Sequence, residues 1–193
     1  MPLTPSSITR TALLLGDRDG EAAMSMRRIA AELGCDPMAL YRHFPNRQAL
    51  LDAVADMAIG DVGEGEPAGE WDVRLTALLT EIREVALRHP GIAGHIAARP
   101  PLGENGLRLN RRIGEALAAA GLGPSEAGKA AQALIAYLAA ALAMAVKAGE
   151  RDERWHQVTA ALGREMPVVG SEEQFAYGLR LLIAGIRVEG QQG

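Results

Sequence analysis

The sequence predicts an all-α protein: an amino-terminal three-helix unit of helix-turn-helix form, followed by a helical bundle. Three observations carry this. Apolar residues make up 48% of the 193 but aromatic ones only 4%, with Ala and Leu dominant. Strands draw on β-branched and aromatic side chains, helices on Ala and Leu. The apolar residues recur at three- and four-residue spacing along most of the chain. Capping residues, often followed by Pro, open these stripes, and Gly or Pro closes them. There is no internal repeat and no strand pattern longer than a few residues.

The first helix opens at Thr4-Pro5, a cap followed by a proline whose missing N–H would be unsatisfied there anyway. Leu3 and Ile8 stand at staple positions around that cap. Ile8, Ala12 and Leu15 form the stripe, and Gly16-Asp17-Arg18-Asp19-Gly20 is expected to end it. A second, short helix follows Ser25, with Ile29, Ala30 and Leu33 inward. Gly34 sits where a left-handed terminal residue is expected. Asp36-Pro37 opens a brief third helix that Pro45 stops. Asn46 caps a fourth, carrying Leu50, Leu51, Val54 and Met57. Residues 60–70, rich in Gly, Pro and acid, are expected to form a surface loop.

Trp71–His89 reads as a helix with Leu75, Leu78, Leu79, Ile82 and Val85 inward. Pro90-Gly91 breaks it, and a short helix follows to Ala98. Pro100-Pro101 breaks the chain again, before a helix over Leu107–Ala120. Pro124–Ala148 is the longest and is apolar nearly all round, so it must be buried on two sides. Its most apolar stretch, Ala130–Val146, falls short of the roughly 20 residues of a membrane span. Residues 151–169 are polar, with one helix expected around Trp155. The last helix, Ser171–Val188, has Ser171 and Gln174 at capping-box spacing. Phe175, Leu179, Leu182, Ile183 and Ile186 form its stripe, and Leu181, Ala184 and Val188 are apolar on other faces. Gly178 and Gly185 would permit close approach. These last two long helices suit an intersubunit four-helix bundle in a homodimer; the competing explanation is the core of a large monomer.

Composition narrows the function. The lone Cys35 rules out an intramolecular disulfide and a cysteine-rich zinc site, and is expected as a small buried filler at the turn. The four histidines show no metal-ligand spacing, so neither metal nor cofactor is expected. Residues 1–15 lack the basic start and long apolar run of a secretory signal, so the expectation is a cytoplasmic protein with no membrane contact. No nucleophile–base pair, paired carboxylates or phosphate-cradling glycine loop appears, which speaks against an enzyme. The formal net charge is −4. It hides an asymmetry: residues 1–50 hold six arginines against five carboxylates, and the excess acid lies beyond them.

The informative segment is SMRRIAAELGCDPMALYRHFPNRQALL, residues 25–51. It reads as two short helices joined by a tight Gly turn, with Leu33, Leu40 and Phe44 inward. The first helix of such a pair supports, and the second lies in the major groove of DNA. Ser25, Tyr41, His43 and Arg47 suit phosphates. Arg27 and Arg42 suit base edges, and Met38 and Ala39 suit thymine methyls.

The run MRRIAAELGCDPMALYRHFPNRQALLDAV resembles the amino-terminal domain of the tetracycline-repressor family. HPGIAGHIAARP and FAYGLRLLIAGI more weakly resemble the carboxy-terminal domain of the branch containing the tetracycline repressor itself. The resemblance implies a homodimeric, ligand-responsive repressor that binds palindromic double-stranded DNA. It implies a helix-turn-helix domain over 3–47 and a ligand-binding and dimerisation domain over 48–193, linked by the helix from about 46 to 60. By position it gives Ser25, Arg27, Pro37, Met38, Ala39, Tyr41, Arg42, His43 and Arg47 as DNA contacts. Met26 stands where some members place a contacting threonine.

For the ligand site the resemblance brings forward Leu78, Ile82, His95, Arg99, Pro100 and Tyr137. His95 with Arg99-Pro100 matches a ligand- and metal-contacting triplet of that branch, although a buried structural histidine fits His95 equally. Gly63 and Leu78 fall where the branch has a drug-contacting histidine and asparagine. The inducer expected is therefore mostly apolar, anchored by a few polar groups. Arg108, Arg111 and Arg112 are expected on a solvated face. Trp155 and His156 fit a pocket mouth and a core cover equally well. The alternative reading is a ligand-binding or protein-interaction module without specific DNA binding.

Overall fold

The computed structural model describes residues 3–65, 69–147, 157, 160–163 and 168–191. Trp155, His156 and the helix expected around them lie outside the described residues. The elements among the described residues are helices: α1 Pro5–Asp19, α2 Met26–Leu33, α3 Pro37–Tyr41, α4 Arg47–Ala58, α5 Trp71–Arg88, α6 Pro90–Ala98, α7 Glu104–Ala119, α8 Pro124–Lys147 and α9 Glu172–Gly190. A 3₁₀ turn, Glu21–Ala23, joins α1 to α2.

The caps form as the sequence predicts. Thr4 accepts from the Ser7 N–H while the Ser7 hydroxyl accepts from the Thr4 N–H, a closed capping box. Ser25, Asp36 and Asn46 each accept a first-turn N–H of the helix they precede. Gly34 adopts the left-handed conformation, φ 65 and ψ 33, and ends α2. Ser171 accepts from the Gln174 N–H, but the Gln174 side chain accepts from Gly170 instead of closing the box.

Several boundaries differ from the sequence reading. Helix α1 runs through Gly16 to Asp19 and stops at Gly20, whose φ is 80. Helix α7 starts at Glu104 rather than Leu107. Within the expected surface loop Asp61 is exposed, but Val62 is fully buried and Gly63 is buried. The cause is two arginines expected to be solvated. Arg108 donates to the Gly60 and Val62 carbonyls at 2.7 and 2.8 Å, and Arg112 donates to Gly63 O at 2.6 Å. These guanidinium groups satisfy carbonyls left beyond the end of α4 and offset its negative pole. Arg111 is exposed, as expected.

Helix α6 packs on α1, α4, α5 and α8 and so joins the amino-terminal unit to the bundle. At its start Gly91 lies against Gly16 of α1: a Cβ there would fall 2.3 Å from Gly16 O and 2.6 Å from its Cα. His89 Nδ1 meets Asp17 at 2.8 Å beside this crossing. Two backbones cannot move aside as a side chain can. Gly91→Ala is expected to cost about 1–3 kcal/mol in urea unfolding, as overpacking does. Gly16→Ala should cost less, because its Cβ would meet the flexible Met24 side chain, Sδ at 2.8 Å.

Helix α8 has 24 residues and is apolar and long enough, by length and composition, to cross a membrane. It is not buried on two sides within one chain. Leu134, Leu138 and Leu142 are buried, whereas Ala133, Ala136, Ala140, Met144 and Val146 are exposed. On α9, Phe175, Leu179, Ile183 and Ile186 are buried, whereas Tyr177, Leu181, Ala184 and Val188 are exposed. Gly178 does not face outward with Gly185. A Cβ at Gly178 would lie 2.2 Å from the Tyr137 hydroxyl oxygen, so its missing side chain makes room within the chain.

Candidate functional site

The segment 25–47 presents an exposed, partly cationic surface on a fixed core. Ile29, Ala30, Leu40 and Leu50 are fully buried, and Phe44 is nearly so. The Gly34 and Cys35 N–H groups close the end of α2 onto the carbonyls of Ala30 and Ala31. That fixes the angle between α2 and α3. Cys35 is half-buried at the turn rather than fully buried as expected. The Asp36 carboxylate accepts from the Met38 N–H at 2.7 Å and sets the start of α3.

On this scaffold Arg27, Met38, Tyr41, Arg42 and His43 are exposed, while Ser25, Pro37 and Ala39 are half-buried. Met38 is 67% exposed and Tyr41 44%, so both side chains are open to a partner. Arg27 and Arg42 form no ion pair among the described residues. By contrast Arg18 and Arg28 share Asp19, and Arg18 also meets Glu32 at 3.6 Å, so their charge is locally offset. Arg27 on α2 and Arg42 just beyond α3 thus stand beside the exposed Met38 and Tyr41. Met26 is buried and belongs to the core. Arg47 is tied back: its guanidinium donates to Met24 O at 3.1 Å and Glu21 O at 3.2 Å, bracing the 3₁₀ turn.

A second candidate site is a cavity of about 60 Å³ in the bundle. Ile82 and Pro100 line it, as does Ile59 just beyond α4. Ile96, Pro101, Leu109, Asn110 and Ile113 close one side, and Ile135, Leu138 and Leu142 of α8 close the other. Asn110 carries the one polar side chain in that wall among the described residues, and its amide donates to Gly106 O at 3.0 Å.

The other four expected ligand residues stand elsewhere. Leu78 is buried beside Gly63, outside the cavity wall. At Gly63 φ is +80, and a Cβ would lie 2.0 Å from Arg112 Nη1, so Arg112 fills the space of the missing side chain. The Tyr137 ring stacks on Phe175 at 5.6 Å, and its hydroxyl donates to Phe175 O at 2.8 Å. Burial pushes its phenol up from the usual value. The buried Arg83 lies over the other side of this pair, 5.2 Å from the Phe175 ring centre, and donates to Gly170 O.

His95 and Arg99 converge on Asp52 of α4. His95 Nε2 lies 2.9 Å from Asp52 Oδ1, and Arg99 donates to both carboxylate oxygens at 3.1 and 3.2 Å. The Gln48 amide adds a donor at 3.2 Å. The Arg99 hydrogen bonds, more than those of His95 and Gln48, hold the Asp52 carboxyl down to about 2, against the opposing effect of burial. A depressed carboxylate stabilises the fold fully above its ordinary value near 4 and loses that contribution as pH falls towards 2. Carboxyl-carbon NMR of Asp52 should accordingly show a midpoint near 2, with no change between pH 5 and 8. A midpoint near 4 would contradict the contact.

One turn along α4, Asp56 accepts from the backbone N–H groups of Asn105 and Gly106 at 3.2 and 2.8 Å. It caps α7 from outside, where Gly103 offers no side chain of its own. Neither Asp52 nor Asp56 is signalled by the sequence pattern, because their partners lie 43 to 50 positions away.

The chain resembles known proteins along nearly its whole length. A family model described as bacterial regulatory proteins, tetR family, matches residues 8–54. A second, described as tetracyclin repressor-like, C-terminal domain, matches residues 65–189. An HTH-type transcriptional regulator of Saccharopolyspora erythraea is 31% identical over 95% of this chain and 84% of its own length. Apo ActR of Streptomyces coelicolor is 29% identical and superposes with a TM-score of 0.84, covering 98% of this chain and 99% of its own. ActR has also been solved in complex with actinorhodin. BioQ with its double-stranded DNA operator is 26% identical, with a TM-score of 0.74 over 96% of this chain and 99% of its own.

Proposed function

The chain belongs to the tetR family of bacterial regulatory proteins, and from that premise we propose that it represses transcription as a homodimer on a palindromic operator and is released by a small, mostly apolar inducer. Residues 3–47 form the DNA-reading unit, residues 48–193 bind the inducer and the second subunit, and α4 links the two. Its place of action is the cytoplasm. The observation that carries the reading is the exposure of Met38, Tyr41, Arg42 and His43 on and just beyond α3, beside the exposed Arg27.

Arg27, Pro37, Met38, Ala39 and Arg42 carry the choice of bases. Ser25, Tyr41 and His43 hold phosphates. Arg47 acts on phosphate only secondarily, since its guanidinium braces the turn before α2. The relatives support both halves of the proposal: BioQ is solved on operator DNA and ActR with actinorhodin.

The inducer site is the apolar cavity, with Ile82 and Pro100 in its wall and Asn110 as the polar anchor. Leu78, His95, Arg99 and Tyr137 act around it rather than in it. Ala139 lines this cavity, and Ala139→Leu adds an isopropyl group to it. We expect that variant to bind operator like the unaltered protein but to resist release by apolar ring compounds in a fluorescence-anisotropy titration. Tetracycline with magnesium should give no tight binding by calorimetry, because Gly63 and Leu78 lack the polar groups for it. Tight binding would overturn the apolar-inducer assignment.

A further inference from the structure

We propose that Glu21 sets the affinity of the DNA-reading unit by opposing a DNA phosphate at Arg47, an inference that rests on the repressor function proposed above. Arg47 opens α4, and Met24 immediately precedes Ser25, the cap of α2. The Arg47 guanidinium donates to Met24 O at 3.1 Å and to Glu21 O at 3.2 Å. It therefore ties the starts of α2 and α4 together. Helix starts favour phosphate through their free N–H groups, and Ser25 is the phosphate contact proposed beside them. The carboxylate paired with this cation is Glu21, whose Oε1 lies 3.4 Å from Arg47 Nη2.

Both partners are open to solvent: the Arg47 side chain is 42% exposed and that of Glu21 54%. An exposed pair of this kind contributes little to stability. Two backbone carbonyls hold the guanidinium whether or not the carboxylate is there, so the brace does not need Glu21. What the carboxylate changes is charge. It offsets the attraction that Arg47 alone would offer a phosphate, and it repels a phosphate brought close to it.

The other arginines of this unit divide in the same way. Arg18 and Arg28 are paired with Asp19, as Arg47 is with Glu21. Arg27 and Arg42, the two assigned to base edges, form no ion pair among the described residues. Attraction to the backbone of DNA, which carries no sequence information, is thus curtailed, and the base-reading cations are left bare.

Release by an inducer gives this a use. A typical coupling weakens DNA binding about 5–150-fold. That factor empties an operator only where the operator is not held far more tightly than the protein's concentration requires. Added phosphate attraction would outlast it. A carboxylate at Arg47 keeps affinity within the range that the coupling can overcome.

The test compares full-length Glu21→Gln with the unaltered protein by fluorescence anisotropy. Two duplexes are used, the one the unaltered protein selects from a random library and one of shuffled sequence. Glu115→Gln is the control, because it changes the net charge equally at an exposed site on α7. One more phosphate contact per subunit, two per dimer, steepens the slope of log K against log salt by about 2. Glu21→Gln should therefore bind both duplexes more tightly by a similar factor, at least about 10-fold at about 0.1 M salt, converging on the unaltered protein towards about 1 M. Glu21→Ala should behave the same way, and Glu115→Gln should match the unaltered protein. Circular dichroism checks that each variant is folded. Glu21 variants that superpose on the unaltered protein, or on Glu115→Gln, overturn the proposal. So does a gain confined to the selected duplex, which would make Glu21 a reader of bases, or a gain that persists undiminished at high salt. These outcomes leave the repressor reading standing. An unaltered protein that binds neither duplex removes that reading, and this inference falls with it.

Discussion

Tyr41→Ala combined with Arg42→Ala should leave a folded dimer that binds its operator at least about 100-fold more weakly. Both side chains are exposed and neither takes part in the core, whose nearest members are Leu40 and Phe44. Stability should therefore change little. An arginine reading a base edge is worth about 1–3 kcal/mol per contact, and a dimer loses each contact twice. Loss of the phosphate contact proposed for Tyr41 adds a sequence-independent part that leaves the salt dependence unchanged, since the hydroxyl is neutral, whereas loss of the Arg42 charge makes the dependence of log K on log salt shallower. Anisotropy titrations at several salt concentrations separate the two contributions. Unchanged affinity would mean that another surface reads DNA.

The second large effect concerns the uncovered faces of α8 and α9. Leu181 is 56% exposed and Val188 52% in a single chain, beside Ala184. Together with Ala136, Ala140 and Met144 on α8 they form an apolar face that two copies can bury as a four-helix bundle. Leu181→Glu puts a carboxylate there and, by twofold symmetry, brings its copy near it. Burying an uncompensated charge costs several kcal/mol. Sedimentation at micromolar concentration should show the unaltered protein as a dimer and Leu181→Glu as a folded monomer. Operator affinity should collapse with it, since each recognition helix would then bind a half-site alone. A monomeric unaltered protein would refute the dimer, and a persisting Leu181→Glu dimer would move the interface elsewhere.

The local features of this chain were legible because each is written within a few residues. Thr4-Pro5, Asp36-Pro37, Asn46 and Gly34 announce helix ends by side-chain chemistry and backbone freedom alone, and the structure forms every one. Features that depend on long-range partners were not legible. Arg108 and Arg112 look like a solvated stripe until the Gly60–Gly63 carbonyls are brought against them. Gly178 looks like an interface residue until Tyr137 occupies its space. His95 and Arg99 look like ligand groups until Asp52 of α4 is brought against them. Asn110 as a lining residue was not legible, because a lone asparagine on an amphipathic helix carries no signal until the apolar wall around it is known.

The central claim is that two copies of α3 read two half-sites on one face of a duplex. Sequencing the DNA that the purified protein retains from a random duplex library tests it most directly. The account predicts an inverted repeat whose half-site centres are separated by one helical turn or a multiple of it, roughly 34–36 Å per turn, lost when Tyr41 and Arg42 are both alanine. A folded dimer that enriches no sequence would contradict it, and would leave the chain as a ligand-binding module on this fold.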